Sequence, residues 1–128
     1  MDVDVDLRLN GKIVTRCYID AAFSLEFWEK GFRTVIRIGG RMSIAQGGLH
    51  LELSASKPTE AAQASVLWGK TVAKATGRKD GSLDVDFADG YRLTVPVDPD
   101  YEAWELRGNG GFLVVSRPGG GLAIWDSK

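Results

Sequence analysis

Sixteen glycines in 128 residues cut the chain into runs too short for most structures except strands, and the runs between them alternate apolar with polar side chains. Val3, Val5, Leu7 and Leu9 alternate with Asp2, Asp4, Asp6 and Arg8; Leu49, Leu51 and Leu53 alternate with His50 and Glu52. A side-chain period of two gives a ribbon one apolar and one wet face, as a strand lying on a core requires. Turn signals separate the runs, among them Asn10-Gly11, Lys30-Gly31, Gly39-Gly40, Gly47-Gly48, Asp80-Gly81, Asp89-Gly90 and Gly110-Gly111. The intervening segments, such as 13–19, 22–28, 32–38, 83–87 and 122–125, are rich in β-branched and aromatic residues.

One segment reads as a helix, 58–67. Pro58 suits the first helical position, Glu60 places charge favourably in the first turn, and Gly69 stops the run. Ala62 and Val66, one α-helical turn apart, are expected to share the face that lies on a sheet. The pattern predicts a mainly β fold, classed as all-β or α+β. It comprises about ten short antiparallel strands in two related β units with one short helix between them, as a sandwich or partly open barrel. The chain is expected to be a single domain, 1–128.

The two units are read from self-similarity. Gly11-Lys12-Ile13-Val14 matches Gly69-Lys70-Thr71-Val72, and Ser24-Leu25 matches Ser82-Leu83 at the same offset. With one residue inserted, Gly31-Phe32-Arg33 matches Gly90-Tyr91-Arg92. An internal β repeat is therefore expected over approximately 11–38 and 69–97. A three-stranded unit exposes an apolar face that needs covering, and two copies can cover each other.

Charge narrows the function classes. The formal net charge is −1, from 16 Lys and Arg against 17 Asp and Glu, and the basic residues are scattered singly. Nucleic-acid binding rests on a basic patch, so nucleic acid is not an expected partner. Nothing approaches the ~20 apolar residues of a membrane helix, so no membrane partner is expected. The opening Met-Asp-Val-Asp-Val-Asp has neither a basic region nor an apolar run. It does not read as a signal peptide, and the expected location is cytoplasmic.

Catalytic and cofactor chemistry lacks its usual residues. With one histidine, His50, and one cysteine, Cys17, neither a multi-His nor a Cys-rich metal site can be assembled within the chain, nor a disulfide. Cys17 reads as a small core hydrophobe and His50 as part of a wet strand face. The aspartates at 2, 4 and 6 read the same way rather than as a calcium site. Gly108 to Gly111 and Pro118 to Gly121 lie between strands, where hairpin turns are expected, and lack the Lys-Ser/Thr of a phosphate loop. No metal, no cofactor and no catalytic residue is expected. Glu102 and Glu105, flanking Trp104, are the remaining option for a small hydrolase working through paired carboxylates.

The segment 98–108, Asp-Pro-Asp-Tyr-Glu-Ala-Trp-Glu-Leu-Arg-Gly, followed by 118–125, Pro-Gly-Gly-Gly-Leu-Ala-Ile-Trp, resembles the ending of an uncharacterised family of short, mainly actinobacterial proteins. Trp68 to Val72, the turn Asp80 to Leu83, Asp89 to Leu93 and the first hairpin around Asp20 and Phe23 are similar to that family too, whereas 39–56 is not. The resemblance implies a small β-rich fold and supplies no catalytic residues.

Trp68, ending the helix, and Trp125, ending the last strand, are expected in the core. Tyr101 and Trp104 follow a proline turn that would expose them among four carboxylates. Asp98, Asp100, Tyr101, Glu102, Trp104 and Glu105 are thus the candidate partner-binding residues. The expected function is a non-enzymatic protein-binding module, in its sharpest form an immunity protein neutralising a basic toxin. A homodimer is a further assembly to consider. The alternatives are a small-ligand sensor or carrier and the paired-carboxylate hydrolase.

Overall fold

The computed structural model describes residues 3–126; Asp2, counted in the N-terminal alternation, lies outside them. The described chain holds twelve strands. They are β1 (Val5–Asp6), β2 (Arg16–Ile19), β3 (Phe23–Glu29), β4 (Phe32–Ile38), β5 (Arg41–Gln46) and β6 (Leu49–Ser54). After the helix follow β7 (Val72–Gly77), β8 (Leu83–Phe87), β9 (Arg92–Val95), β10 (Trp104–Arg107), β11 (Leu113–Ser116) and β12 (Leu122–Trp125). They form two antiparallel six-stranded sheets, ordered β1-β7-β8-β9-β5-β6 and β12-β11-β10-β4-β3-β2. Neither sheet closes into a barrel. One apolar cluster joins them: Phe27, Ile36 and Leu106 from the second sheet meet Ile44, Val85 and Leu93 from the first. The architecture is the sandwich alternative. Among the described residues no helix is long and apolar enough to cross a membrane.

Alternation fails in two places for local reasons. Arg8 takes a positive φ of 64°, which ends β1 after two residues although Leu7 and Leu9 still bury. At the helix, only Pro58–Ala61 is α-helical; Ala62–Leu67 continues as a 3₁₀ helix. Three residues per turn bring Ala61, Ala64 and Leu67 onto one buried face. Ala62 and Val66, expected on the sheet side, are exposed. The Glu60 carboxylate accepts the Ser54 N–H at 2.8 Å and ties the helix to β6.

Segments 11–38 and 69–97 lie on opposite sheets, with β2 at the edge of its sheet and β7 flanked by β1. Each is an antiparallel meander, β2-β3-β4 in one and β7-β8-β9 in the other. Where they meet, hydrogen bonds are exchanged reciprocally. The Gly11 N–H donates to Val72 O at 2.8 Å and the Gly69 N–H to Val14 O at 2.9 Å. The Val72 N–H donates to Lys12 O at 2.8 Å and the Val14 N–H to Lys70 O at 3.0 Å. Ile13 and Thr71 form a bridge at the centre. Gly11 and Gly69 both hold φ of 80°, a left-handed conformation that glycine adopts without penalty.

Candidate functional site: an exposed tryptophan face

The acidic segment 98–105 does not form one surface. The Asp98 carboxylate turns back on its own loop, accepting N–H bonds from Asp100 at 2.8 Å and Tyr101 at 3.0 Å. Asp100, Tyr101 and Glu102 are exposed, Tyr101 at 73%. Trp104 is 1% exposed, because β10 begins there and alternation turns it into the core; the expectation that it faces a partner is corrected. Glu105 projects from the opposite face of β10 and accepts from Arg107 Nε at 2.8 Å. The paired carboxylates Glu102 and Glu105 therefore sit in different settings, one in a loop and one in an ion pair on a sheet.

Two tryptophans expected elsewhere are on the surface. Trp125 is 53% exposed, since Leu122 and Ile124 take the inward positions of β12. Trp68 is 64% exposed, because the 3₁₀ face that buries Leu67 points the next side chain outward. With Trp28 at 61% and Ile13 at 50% exposed, Trp68 surrounds a single residue, Thr15. The Trp68 indole N–H donates to Thr15 O at 3.1 Å. Thr15 Oγ1 accepts from the Trp28 N–H at 3.0 Å and donates to Glu26 O at 3.1 Å. Trp28 itself was legible: Phe23, Leu25 and Phe27 take the inward positions of β3, leaving Ser24, Glu26 and Trp28 on the outer face.

A cleft of about 150 Å³ opens beside it, lined by Gly11, Lys12, Ile13, Thr15, Phe27, Trp28, Glu29 and Phe32. Phe27 is 1% exposed and makes the floor. Lys12 bonds Glu29 across the rim and stacks 4.2 Å from the Phe32 ring centroid. A second depression adjoins, sharing Thr15 and Trp28 and adding Arg16, Glu26 and Arg33. Glu26 is only 6% exposed. Its carboxylate takes Arg33 Nε at 2.6 Å and faces Arg16 Nη1 at 3.6 Å. Burying a carboxylate in this way needs both cations.

A model of a family of unknown function, DUF6188, matches residues 5–126. The chain belongs to the DUF6188 family. No curated protein and no solved structure matches it.

The second meander of the DUF6188 chain repeats the rim. Lys70 bonds Asp89 at 2.6 Å and stacks 4.0 Å from the Tyr91 ring centroid, as Lys12 does with Glu29 and Phe32. There β7 pairs with β8 as far as Val72 and Phe87, with an irregularity between Val72 and Lys74, and the Ala88 N–H donates to Thr71 O at 2.9 Å. In the first meander β2 pairs with β3 only from Arg16 and Glu26 onward. Segment 11–15 leaves β3 toward the other sheet, and Thr15 fills the last position with its side chain. The cleft is the gap this departure leaves. Among the described residues no cluster of three His, Cys, Asp or Glu side chains is arranged to hold a metal.

Proposed function

We propose that the chain is a non-enzymatic protein-binding module acting through the face formed by Trp28, Trp68 and Ile13. The observation that carries this reading is that two tryptophans more than 60% exposed converge on one threonine, Trp68 through its indole N–H and Trp28 through its backbone N–H. Exposed aromatics cost solubility when left bare, and Trp and Arg dominate binding hot spots. Arg16 and Arg33 flank Trp28 and complete that composition. The separate settings of Glu102 and Glu105 favour binding over hydrolysis.

The test compares capture of cellular proteins by wild type and by a Trp28→Ala/Trp68→Ala double variant of unchanged melting temperature. A partner retained by wild type and lost by the variant supports the reading; an identical captured set removes this face. The finer form, an actinobacterial immunity protein masking a basic toxin, draws on the exposed Asp100, Tyr101 and Glu102. It requires that a Tyr101→Ala/Glu102→Lys variant lose toxin neutralisation. A small-ligand role draws on the 150 Å³ cleft. It predicts that indole raises the melting temperature and that Trp28→Ala abolishes the rise.

A further inference from the structure

We infer that the cleft beside Trp28 receives one aromatic or large aliphatic side chain from an acidic protein segment, whose carboxylates face Arg16, Arg33 and Lys30. This rests on the protein-binding reading and names the partner's chemistry. A void of about 150 Å³ accommodates a benzene-sized group. Its walls and floor are Ile13, Trp28, Phe32 and Phe27, which would desolvate such a group on several sides.

The charge around the cleft selects the flanks. Glu26 lies beneath the surface, while the two guanidiniums that neutralise it are open to solvent, with Arg16 64% and Arg33 57% exposed in their side chains. Lys12 cancels Glu29 at the opposite rim, and Lys30 is exposed in the turn that follows. Four cations thus surround two carboxylates, on a chain whose net charge is −1. What is presented outward is cationic. An acidic segment is steered to it, and a basic one meets like charge. The opening is held by the Thr15 hydrogen bonds to Trp28 and Glu26, so the cleft exists before a partner arrives and binding pays little ordering cost.

The probes are three peptides added to the full chain labelled with ¹⁵N: Ac-Glu-Asp-Phe-Glu-Asp-NH₂, its basic counterpart Ac-Lys-Arg-Phe-Lys-Arg-NH₂, and the acidic peptide with Ala in place of Phe. The acidic Phe peptide is expected to shift the amides of 11–15 and 27–32 with affinity about tenfold above either other peptide. An Arg16→Glu/Arg33→Glu variant with wild-type dispersion of its amide signals is expected to reverse the preference toward the basic peptide. Equal binding of the two Phe peptides overturns the charge inference while leaving the protein-binding reading intact. Shifts confined to other regions, or none with any peptide, remove the cleft as the site; the capture experiment with Trp28 and Trp68 then decides the broader reading alone. A thymidine oligonucleotide that shifts the same amides more strongly than any peptide overturns the inference in favour of nucleic acid.

Discussion

The indole N–H of Trp104 donates to the carbonyl of Gly81 at 2.9 Å, and the Ser116 hydroxyl donates to the same oxygen at 2.7 Å. Trp104 and Ser116 belong to one sheet; Gly81 sits in the β7–β8 turn of the other. One backbone oxygen therefore joins the two layers inside the core. Trp104→Ala is expected to destabilise by about 3–5 kcal/mol, through lost burial and a cavity. Trp104→Phe retains most of the packing and costs about 1–3 kcal/mol. Urea denaturation of both variants checks the order.

Gly81 accepts these bonds at φ of 103°, with an added Cβ only 2.8 Å from Gly121 O and 2.9 Å from Gly121 N. Backbone cannot yield as a flexible side chain can. Gly81→Ala combines left-handed strain, on the order of 1–2 kcal/mol, with displacement of the 118–121 turn. It is expected to lower the melting temperature more than Gly119→Ala, whose φ is also positive but whose Cβ meets nothing closer than 3.9 Å.

Trp125 behaves oppositely. Half-exposed at the end of an edge strand, it contributes little to the core, and Trp125→Ala is expected to cost under about 1 kcal/mol. A loss near that of Trp104→Ala would mean that Trp125 is covered in solution by another copy of the chain. Sedimentation of wild type at increasing concentration would reveal such a copy.

These three residues show where sequence patterning succeeds and where it stops. Period two and turn signals assigned the β segments, and the inward Phe23, Leu25 and Phe27 of β3 were available to the same argument. It could not rank the tryptophans. Trp104 and Trp125 both lie in short strands bounded by turns, and only the pairing of β10 between β4 and β11, against the edge position of β12, separates buried from exposed. The 98–105 grouping is split for a related reason. Asp98, Asp100 and Glu102 stay in the loop before β10, whereas strand alternation turns Trp104 inward and Glu105 to the other face. Thr15, Trp28 and Trp68 come together only because segment 11–15 crosses between sheets. The helix was placed correctly at 58–67, and only its face was missed: three alanines suit an α-helix, but anchoring Ala61, Ala64 and Leu67 together requires a tighter winding.

Cys17 sits on β2 with its side chain partly packed against the core, and burial pushes the thiol from 9.0 up to about 11. The thiolate fraction at pH 8 is then about a hundredfold below that of an ordinary cysteine. Labelling by iodoacetamide at pH 8 is expected to be slower by that factor in the native protein and to recover in urea. Native labelling at the unfolded rate would show that β2 opens readily.

Asp80 carries a pH dependence. The Ser82 hydroxyl at 2.7 Å and backbone N–H at 2.8 Å hold its carboxyl below the ordinary 3.8, with Arg78 adding attraction. A carboxyl depressed in the folded state contributes stability above its unfolded value and loses it as pH falls through the folded one. Asp80→Asn is therefore expected to be less stable than wild type at pH 7, with the difference shrinking below about pH 4. Parallel melts from pH 7 to pH 2.5 check this; a constant difference would assign the effect to turn geometry instead.

The interleaving of the sheets has a temporal consequence. β1 pairs with β7 alone, and β5 must wait for β9, so on the ribosome the N-terminal third emerges with its strand edges unsatisfied. The hairpin of β3 and β4 can zip locally, yet its apolar face stays incompletely covered until β8 and β9 of the facing sheet have been synthesised. Synthesis at roughly 5–20 residues per second leaves that face incompletely covered for several seconds. Long-range pairing of this kind makes folding slow and late. The nascent chain, rather than the finished molecule, is where aggregation and chaperone capture compete with the native state.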